Sequence, residues 1–275
     1  MRASKRIPRA LTIAGSDSGG GAGVQADLKT FAAHGVHGSS AITAITAQNT
    51  VAVAAIHAVP SEIIAAQIDA VMTDIGADAV KTGMLASAEV IEAVAAKIRE
   101  HGVKNLVCDP VMVAKSGHRL LEASAVEALR VKLLPLARVV TPNIPEAEVL
   151  GGMKIRDGED ARLAARNIAS YGPKFVVIKG GHLEGAATDL VYDGSNFDEL
   201  PAERIATKNT HGTGCTFSAA IAANLAKGLA PLDAIREAKR YITEAIRTAG
   251  SIGAGHSPVN HFHGMKRDSG GETSE

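Results

Sequence analysis

Short apolar runs alternate along the chain with longer stretches in which apolar residues recur three and four positions apart. Residues 10–14 read as a strand that stops at the glycine-rich run from Gly15 to Gly23, with a helical pattern starting near Val24. Residues 39–45 and 53–58 read as two strands joined through Gln48-Asn49-Thr50, a hairpin that interrupts the alternation as a lid or an edge extension. Helices are expected over 61–74, 87–101, 122–130 and 157–171, with strands between them at 78–81, 105–108, 138–140 and 174–178. A second hairpin, 188–192 with 196–200, turns through Asp193-Gly194-Ser195, and two helices, 216–228 and 231–249, close the chain. Strands alternating with helices of this length imply right-handed crossovers and a mainly parallel sheet, so the expected fold class is α/β. No change of composition divides the chain: 1–9 reads as an N-terminal extension, 10–264 as one domain and 265–275 as a disordered tail.

Composition narrows the partners. Of 275 residues 46% are apolar but only 3% aromatic, without tryptophan, so the core must be built from Ala, Val, Ile and Leu. Lys plus Arg equals Asp plus Glu, 29 each, which leaves no field to draw in nucleic acid or an anionic membrane and points to small-molecule partners. Cys108 and Cys215, far apart, suggest neither a zinc site nor a disulfide framework, as in a reduced intracellular protein. The apolar run at 10–14 is too short for a signal-peptide core, and no stretch reaches the roughly 18 apolar residues of a membrane span. A cytoplasmic protein is expected.

The chemistry gathers at strand ends, where open parallel sheets bind their ligands. Gly15 and Asp17 follow the first strand, and Lys81-Thr82-Gly83-Met84 and Asp109-Pro110-Val111-Met112 follow the strands at 78 and 105. Thr141-Pro142-Asn143-Ile144-Pro145-Glu146 and Lys179-Gly180-Gly181-His182 follow those at 138 and 174. The glycine run is neither a P-loop, since no Lys-Ser/Thr follows it, nor of dinucleotide-binding spacing. His211-Gly212-Thr213-Gly214-Cys215 opens the helix at 216: the glycines allow a sharp turn, and the helix end offers unpaired N–H groups to an anion. A thiol at that end is expected to be favoured as thiolate. Each cluster has a bland alternative: Asp109 capping a turn, Asn143 and Glu146 capping the next helix, Lys179 a solvated charge, Asp27 complementing a helix dipole. Together, an anion cradle, a lysine and acidic or amide oxygens on one rim are what phosphoryl transfer needs, with the oxygens holding Mg²⁺.

In order, 15–29, Ala47-Gln48-Asn49-Thr50, Lys81 to Leu85, Asp109 to Met112, Thr141 to Asn143 with Glu146, Lys179 to His182 and His211 to Cys215 resemble one family. It is the hydroxymethylpyrimidine/phosphomethylpyrimidine kinases of thiamine biosynthesis, in the ribokinase-like superfamily. The resemblance implies a three-layer αβα sandwich with a small β-hairpin lid, ATP and Mg²⁺ as cofactors, and a homodimer. It further implies phosphorylation of 4-amino-5-hydroxymethyl-2-methylpyrimidine to its monophosphate and then its diphosphate. By the same resemblance Gln48, Gly15, Ala22, Asp27, Met84 and Val111 bind substrate, and Asp109, Asn143 and Glu146 serve metal and phosphate. Gly212, Thr213, Gly214, Cys215 and Lys179 are then catalytic, Cys215 standing where most of the superfamily has an aspartate base. Thr46 departs from the aliphatic residue expected there, and Gly19-Gly20-Gly21 from a Ser-Gly-Gly variant. Pyridoxal kinase activity and a non-catalytic pyrimidine sensor are the competing readings, and His256 with the ending His261-Phe262-His263 reads as a packed closing segment in preference to a metal site.

Overall fold

The computed structural model describes residues 6–112, 124–180 and 187–265. Its strands are β1 (Arg9–Asp17), β2 (His37–Gln48), β3 (Val53–Ala58), β4 (Ala79–Thr82), β5 (Leu106–Cys108), β6 (Val139–Val140), β7 (Phe175–Ile178), β8 (Asp189–Tyr192) and β9 (Phe197–Leu200). They form one nine-stranded sheet in the order β3-β2-β1-β4-β5-β6-β7-β8-β9. The six strands from β2 to β7 in that order run parallel, and β3, β8 and β9 are antiparallel at the two edges. Between β1 and β4 the order of the chain reverses, which opens the crevice where such sheets bind ligands.

Side chains alternate across this sheet. Leu11, Ile13, Val140 and Ile178 enter one core, beneath α2 (Ser61–Asp74), α3 (Ala88–Glu100), α5 (Ile144–Gly151) and α6 (Gly158–Ala169). Ala10, Val139 and Val177 enter the other, beneath α1 (Gly23–Ala33), α7 (Thr213–Ala226) and α8 (Pro231–Arg247). The result is the expected three-layer sandwich. In α7 every residue from 216 to 225 is buried, which is why this helix is made of small and apolar residues on all sides. Its N-terminus is delivered to the open end of the sheet.

The β2–β3 hairpin continues the sheet as its edge. Its turn is tied down by the C-terminal segment: Gly255 N donates to Thr50 Oγ1 (3.2 Å) and His256 N to the Thr50 carbonyl (2.9 Å). The helix expected at 122–130 begins outside the described residues. Its described part is a short α4 (Ala125–Ala128), which passes into a π-turn (Leu129–Leu133) and a 3₁₀ turn (Leu134–Leu136). Pro135 lacks the N–H that an α-helix would need there, so the regular ladder cannot continue. Gly181, His182 and the tail from 266 onward also lie outside the described residues. No helix among the described residues is long and apolar enough to cross a membrane.

Candidate active site

Asp17, the last residue of β1, organises the glycine loop. Its Oδ1 accepts from Gly19 N (2.8 Å) and its Oδ2 from Gly21 N (3.1 Å), Ala22 N (2.8 Å) and His211 Nε2 (2.8 Å). Burial works against this charge, but the His211 and backbone donors win and hold the carboxyl below its ordinary range. The same bond staples the glycine loop to the turn before α7. There the two backbones pass so closely that a Cβ on Gly212, whose φ is +75°, would sit 1.7 Å from the Gly21 carbonyl oxygen.

Gly212 caps α7; the Thr213 N–H turns back to the Thr210 carbonyl (3.3 Å), and the N–H groups of Gly214 and Cys215 belong to the open first turn of the helix. Cys215 is half-buried at this turn. Burial pushes its thiol up to about 11, with Lys81 pulling it back only in part and Asp27 and Asp109 pushing it further. The thiolate expected from the sequence is therefore corrected to a thiol. A helix end is worth about 0.3–1 kcal/mol, less than one pKa unit, and cannot overcome that desolvation.

Opposite the cradle stands a charged rim. Lys179 Nζ lies 3.0 Å from Asp109 Oδ1, and a Cβ on Gly214 would lie 3.3 Å from the same ammonium, so rim and helix end touch. The β6–β7 pairing extends to an Asn143–Lys179 bridge, which sets these two residues side by side. Asp109 also accepts from Thr141 Oγ1 (3.2 Å) and Ser218 Oγ (3.3 Å). Burial opposes its charge, yet Lys179, Lys81 and the Thr141 hydroxyl hold it low. Glu146 goes the other way: burial, relieved only partly by Lys179 and worsened by Asp109, pushes it up to about 7. Asn143 and Glu146 form a reciprocal capping box, Asn143 Oδ1 accepting from Glu146 N (2.9 Å) and Glu146 Oε2 from Asn143 N (2.9 Å). The bland reading of these two residues is therefore real, and it also fixes the Glu146 carboxyl in the cavity wall.

Gly15, Ala22, Gln48, Met84, Val111, Asp109, Asn143, Glu146, Lys179, Gly212, Thr213, Gly214 and Cys215 all line one cavity of about 800 Å³. Asp27 does not. It is wholly buried on α1, where Lys81 Nζ contacts both its oxygens (2.8 and 3.1 Å) and Thr12 Oγ1 donates to it (2.6 Å). A lysine from the adjoining strand has captured the carboxylate that the sequence offered to a ligand. Burial opposes the Lys81 charge, but Asp27, Cys215 and Asp109 together outweigh it and keep the ammonium well above its ordinary value.

Asp17, Lys81, His211 and Thr46 line the cavity too, and all stand in or beside the sequence motifs. The far half of the cavity, with Ala187, Ile205, Lys239, Thr243 and Ile246, lies between the β8–β9 region and α8 and carries no sequence motif. The closing histidines go to separate partners. His261 Nε2 bonds to Thr216 Oγ1 (3.0 Å), His256 Nδ1 to the Lys208 carbonyl (3.2 Å), and the His263 ring packs 4.8 Å from that of Tyr241. Burial pushes His261 down to about 4, so its ring is neutral.

The phosphomethylpyrimidine kinase family profile matches residues 17–260. The hydroxymethylpyrimidine/phosphomethylpyrimidine kinase of Rhizobium meliloti (strain 1021) is 54% identical over 264 residues, covering 94% of this chain and 98% of that protein. The thiamine biosynthesis bifunctional protein ThiED of Geobacter sulfurreducens is 56% identical over 253 residues; the match covers 92% of this chain but 52% of that longer protein. Among solved structures, an ADP complex of Bacillus subtilis pyridoxal kinase superposes with a TM-score of 0.88 at 44% identity, covering 93% of this chain and 98% of that one.

Proposed function

The chain belongs to the phosphomethylpyrimidine kinase family, and from that premise we propose that its one cavity performs two phosphoryl transfers from ATP in thiamine biosynthesis. The first is onto the hydroxymethyl oxygen of 4-amino-5-hydroxymethyl-2-methylpyrimidine; the second is onto the resulting monophosphate. The observation that carries this reading is the meeting of the α7 N-terminus with Lys179, Asp109 and Glu146 on one wall of the cavity that Gln48 also lines.

In the first transfer the bond between the hydroxymethyl oxygen and the γ-phosphorus forms as the β,γ-bridging bond breaks, and ADP leaves. The N–H groups of Gly214 and Cys215 face the oxygens of the group in transit, and Lys179 offsets their charge. The alcohol proton departs late in so loose a transition state, passing to an oxygen of the transferred phosphoryl group, so the Cys215 thiol acts by holding the hydroxyl, not by removing its proton beforehand. In the second transfer the nucleophile is a phosphate oxygen that is already ionised. A neutral thiol admits that dianion where a carboxylate would repel it. Gln48 presents both donor and acceptor to the pyrimidine edge, and the nucleotide occupies the half of the cavity against α8.

A Glu146 carboxyl forced to about 7 beside Asp109 is a site short of positive charge, which suits a hard divalent cation. Asp109 and Glu146 would hold Mg²⁺, with Asn143 placing Glu146; bound there, the ion neutralises phosphate oxygens. All these residues fall within 10–264, the span we assign to the single kinase domain. We also assign the chain to a homodimer, a reading supported by the exposed Ile45 and Ile56 on the edge hairpin and tested by sedimentation.

Phosphorylation of pyridoxal is the second reading, favoured by the match to the B. subtilis structure. A coupled assay of ADP release, with hydroxymethylpyrimidine, its monophosphate and pyridoxal offered separately, decides. Turnover of the first two is expected. Turnover of pyridoxal alone would replace the reading, and no turnover of any would leave a pyrimidine sensor.

A further inference from the structure

We infer that Thr46 and the Asp17–His211 pair lock the Gln48 carboxamide in one orientation, oxygen toward His211 and NH₂ toward Thr46, making Thr46 a specificity-determining positioning residue. The inference rests on the reading that Gln48 meets the substrate ring. Two contacts, each of 3.3 Å, flank the carboxamide: one from Gln48 Nε2 to His211 Nε2, the other between Oε1 and Thr46 Oγ1. A half-turn about the terminal bond exchanges the two atoms and leaves both contact lengths in place, so the neighbours' protons decide between the two placements.

His211 Nε2 lies 2.8 Å from Asp17 Oδ2, and Asp17 also accepts from Gly21 N and Ala22 N. A carboxylate so supplied with donors is ionised, and Nε2 must carry the proton it shares with Asp17. With the NH₂ toward His211, two N–H groups would face each other. With the oxygen there, the His211 N–H is shared between Asp17 and Gln48. On the other side, Thr46 Oγ1 has a single proton, and the Ser16 carbonyl 2.8 Å away takes it. The Thr46 oxygen is then free only to accept, which suits NH₂ and not a carbonyl. One orientation satisfies every group, and the other leaves both contacts without a shared proton.

The locked amide keeps one N–H and one carbonyl lone pair for a ligand. That pair complements a ring nitrogen beside an exocyclic amine. A 4-oxo ring presents the reverse order along the same edge, an N–H beside a carbonyl, and meets donor with donor. An aliphatic residue at 46 lacks the oxygen that receives the NH₂, and so loosens this choice.

Thr46→Val keeps the β-branched shape on β2 and removes the acceptor. The measurement is kcat/KM for the 4-amino substrate over its 4-oxo analogue. Thr46→Val is expected to lower that ratio at least about fivefold with kcat on the amino substrate changed less than about twofold, and Thr46→Ser to restore the ratio. An unchanged ratio would overturn the inference. Independently of any variant's folding, nuclear Overhauser contacts in the wild type settle the orientation. Contacts from the Gln48 NH₂ protons to the Thr46 methyl support it, and contacts to the His211 ring protons overturn it. If the wild type phosphorylates neither ring, the functional reading fails, while the Overhauser contacts still decide the amide.

Discussion

Glu146 and Cys215 are both weaker acids in the fold than in water, and each leaves a signature in the activity. Burial raises Glu146 to about 7, so below that pH the carboxyl is increasingly protonated and a poorer cation ligand. The Mg²⁺ concentration giving half-maximal rate is expected to rise about fivefold from pH 7 to pH 6, and Glu146→Gln to bind Mg²⁺ weakly with that slope gone; a flat profile in the wild type would remove Glu146 from the metal site. The sign for stability comes from proton counts. Between the ordinary value of 4.5 and about 7 the Glu146 carboxyl holds more protons in the folded state than in the unfolded one, so its own contribution to the stability of the metal-free protein falls as pH rises through this window, while His261, held down to about 4, contributes with the opposite sign below 6.5. For Cys215, a thiol near 11 predicts no thiol limb in kcat/KM between pH 6 and 9. Cys215→Asp is expected to slow the second transfer at least about 100-fold relative to the first, through repulsion of the incoming dianion; equal losses in both steps would refute the repulsion. The sequence revealed the rim residues because each stands alone at a strand end. It hid the pairings, since His211 lies 194 positions from Asp17 and Lys81 lies 54 from Asp27.

At the scale of elements, the site is made by two turns that interlock. The glycine loop between β1 and α1 and the turn before α7 fit only because Gly21 and Gly212 lack Cβ atoms: one on Gly21 would lie 2.4 Å from His211 Cδ2. Gly212→Ala is therefore expected to cut kcat/KM at least about 100-fold, by displacing the first turn of α7, while circular dichroism shows the helices intact. Activity within about threefold of wild type would mean that the α7 turn is not the anion site. Elements with a strong period were readable: the helices expected at 157–171 and 231–249 fall on α6 and α8. The eight-residue α5 offers little more than two turns of pattern, so only its capping residues announced it. The π-turn after α4 owes its shape to Pro135, whose effect on the preceding turn no apolar period reports.

At the scale of the whole molecule, strand alternation implied a parallel sheet, but nothing local dictates that β1 lies between β2 and β4, because neighbour choice in a sheet is settled by which faces bury together. The same holds for the chain's end. The segment at 250–258 crosses to the far edge of the sheet, bonds the hairpin turn at Thr50, and returns so that the Ser257 carbonyl accepts from His211 N (3.0 Å). One strap thus joins the element bearing Gln48 to the turn before α7, and under the proposed function it would set the distance between substrate ring and phosphoryl group. Gly255 is the tight point: a Cβ there would lie 2.1 Å from the Thr50 carbonyl oxygen. Gly255→Ala must push the hairpin turn and the strap apart, yet it removes no core contact, because Gly255 contributes no side chain to either apolar layer. The expected outcome is a KM for the pyrimidine raised about tenfold, with Tm lowered by less than about 3 °C. A large fall in Tm with KM unchanged would show that the strap stabilises the fold without setting the pocket.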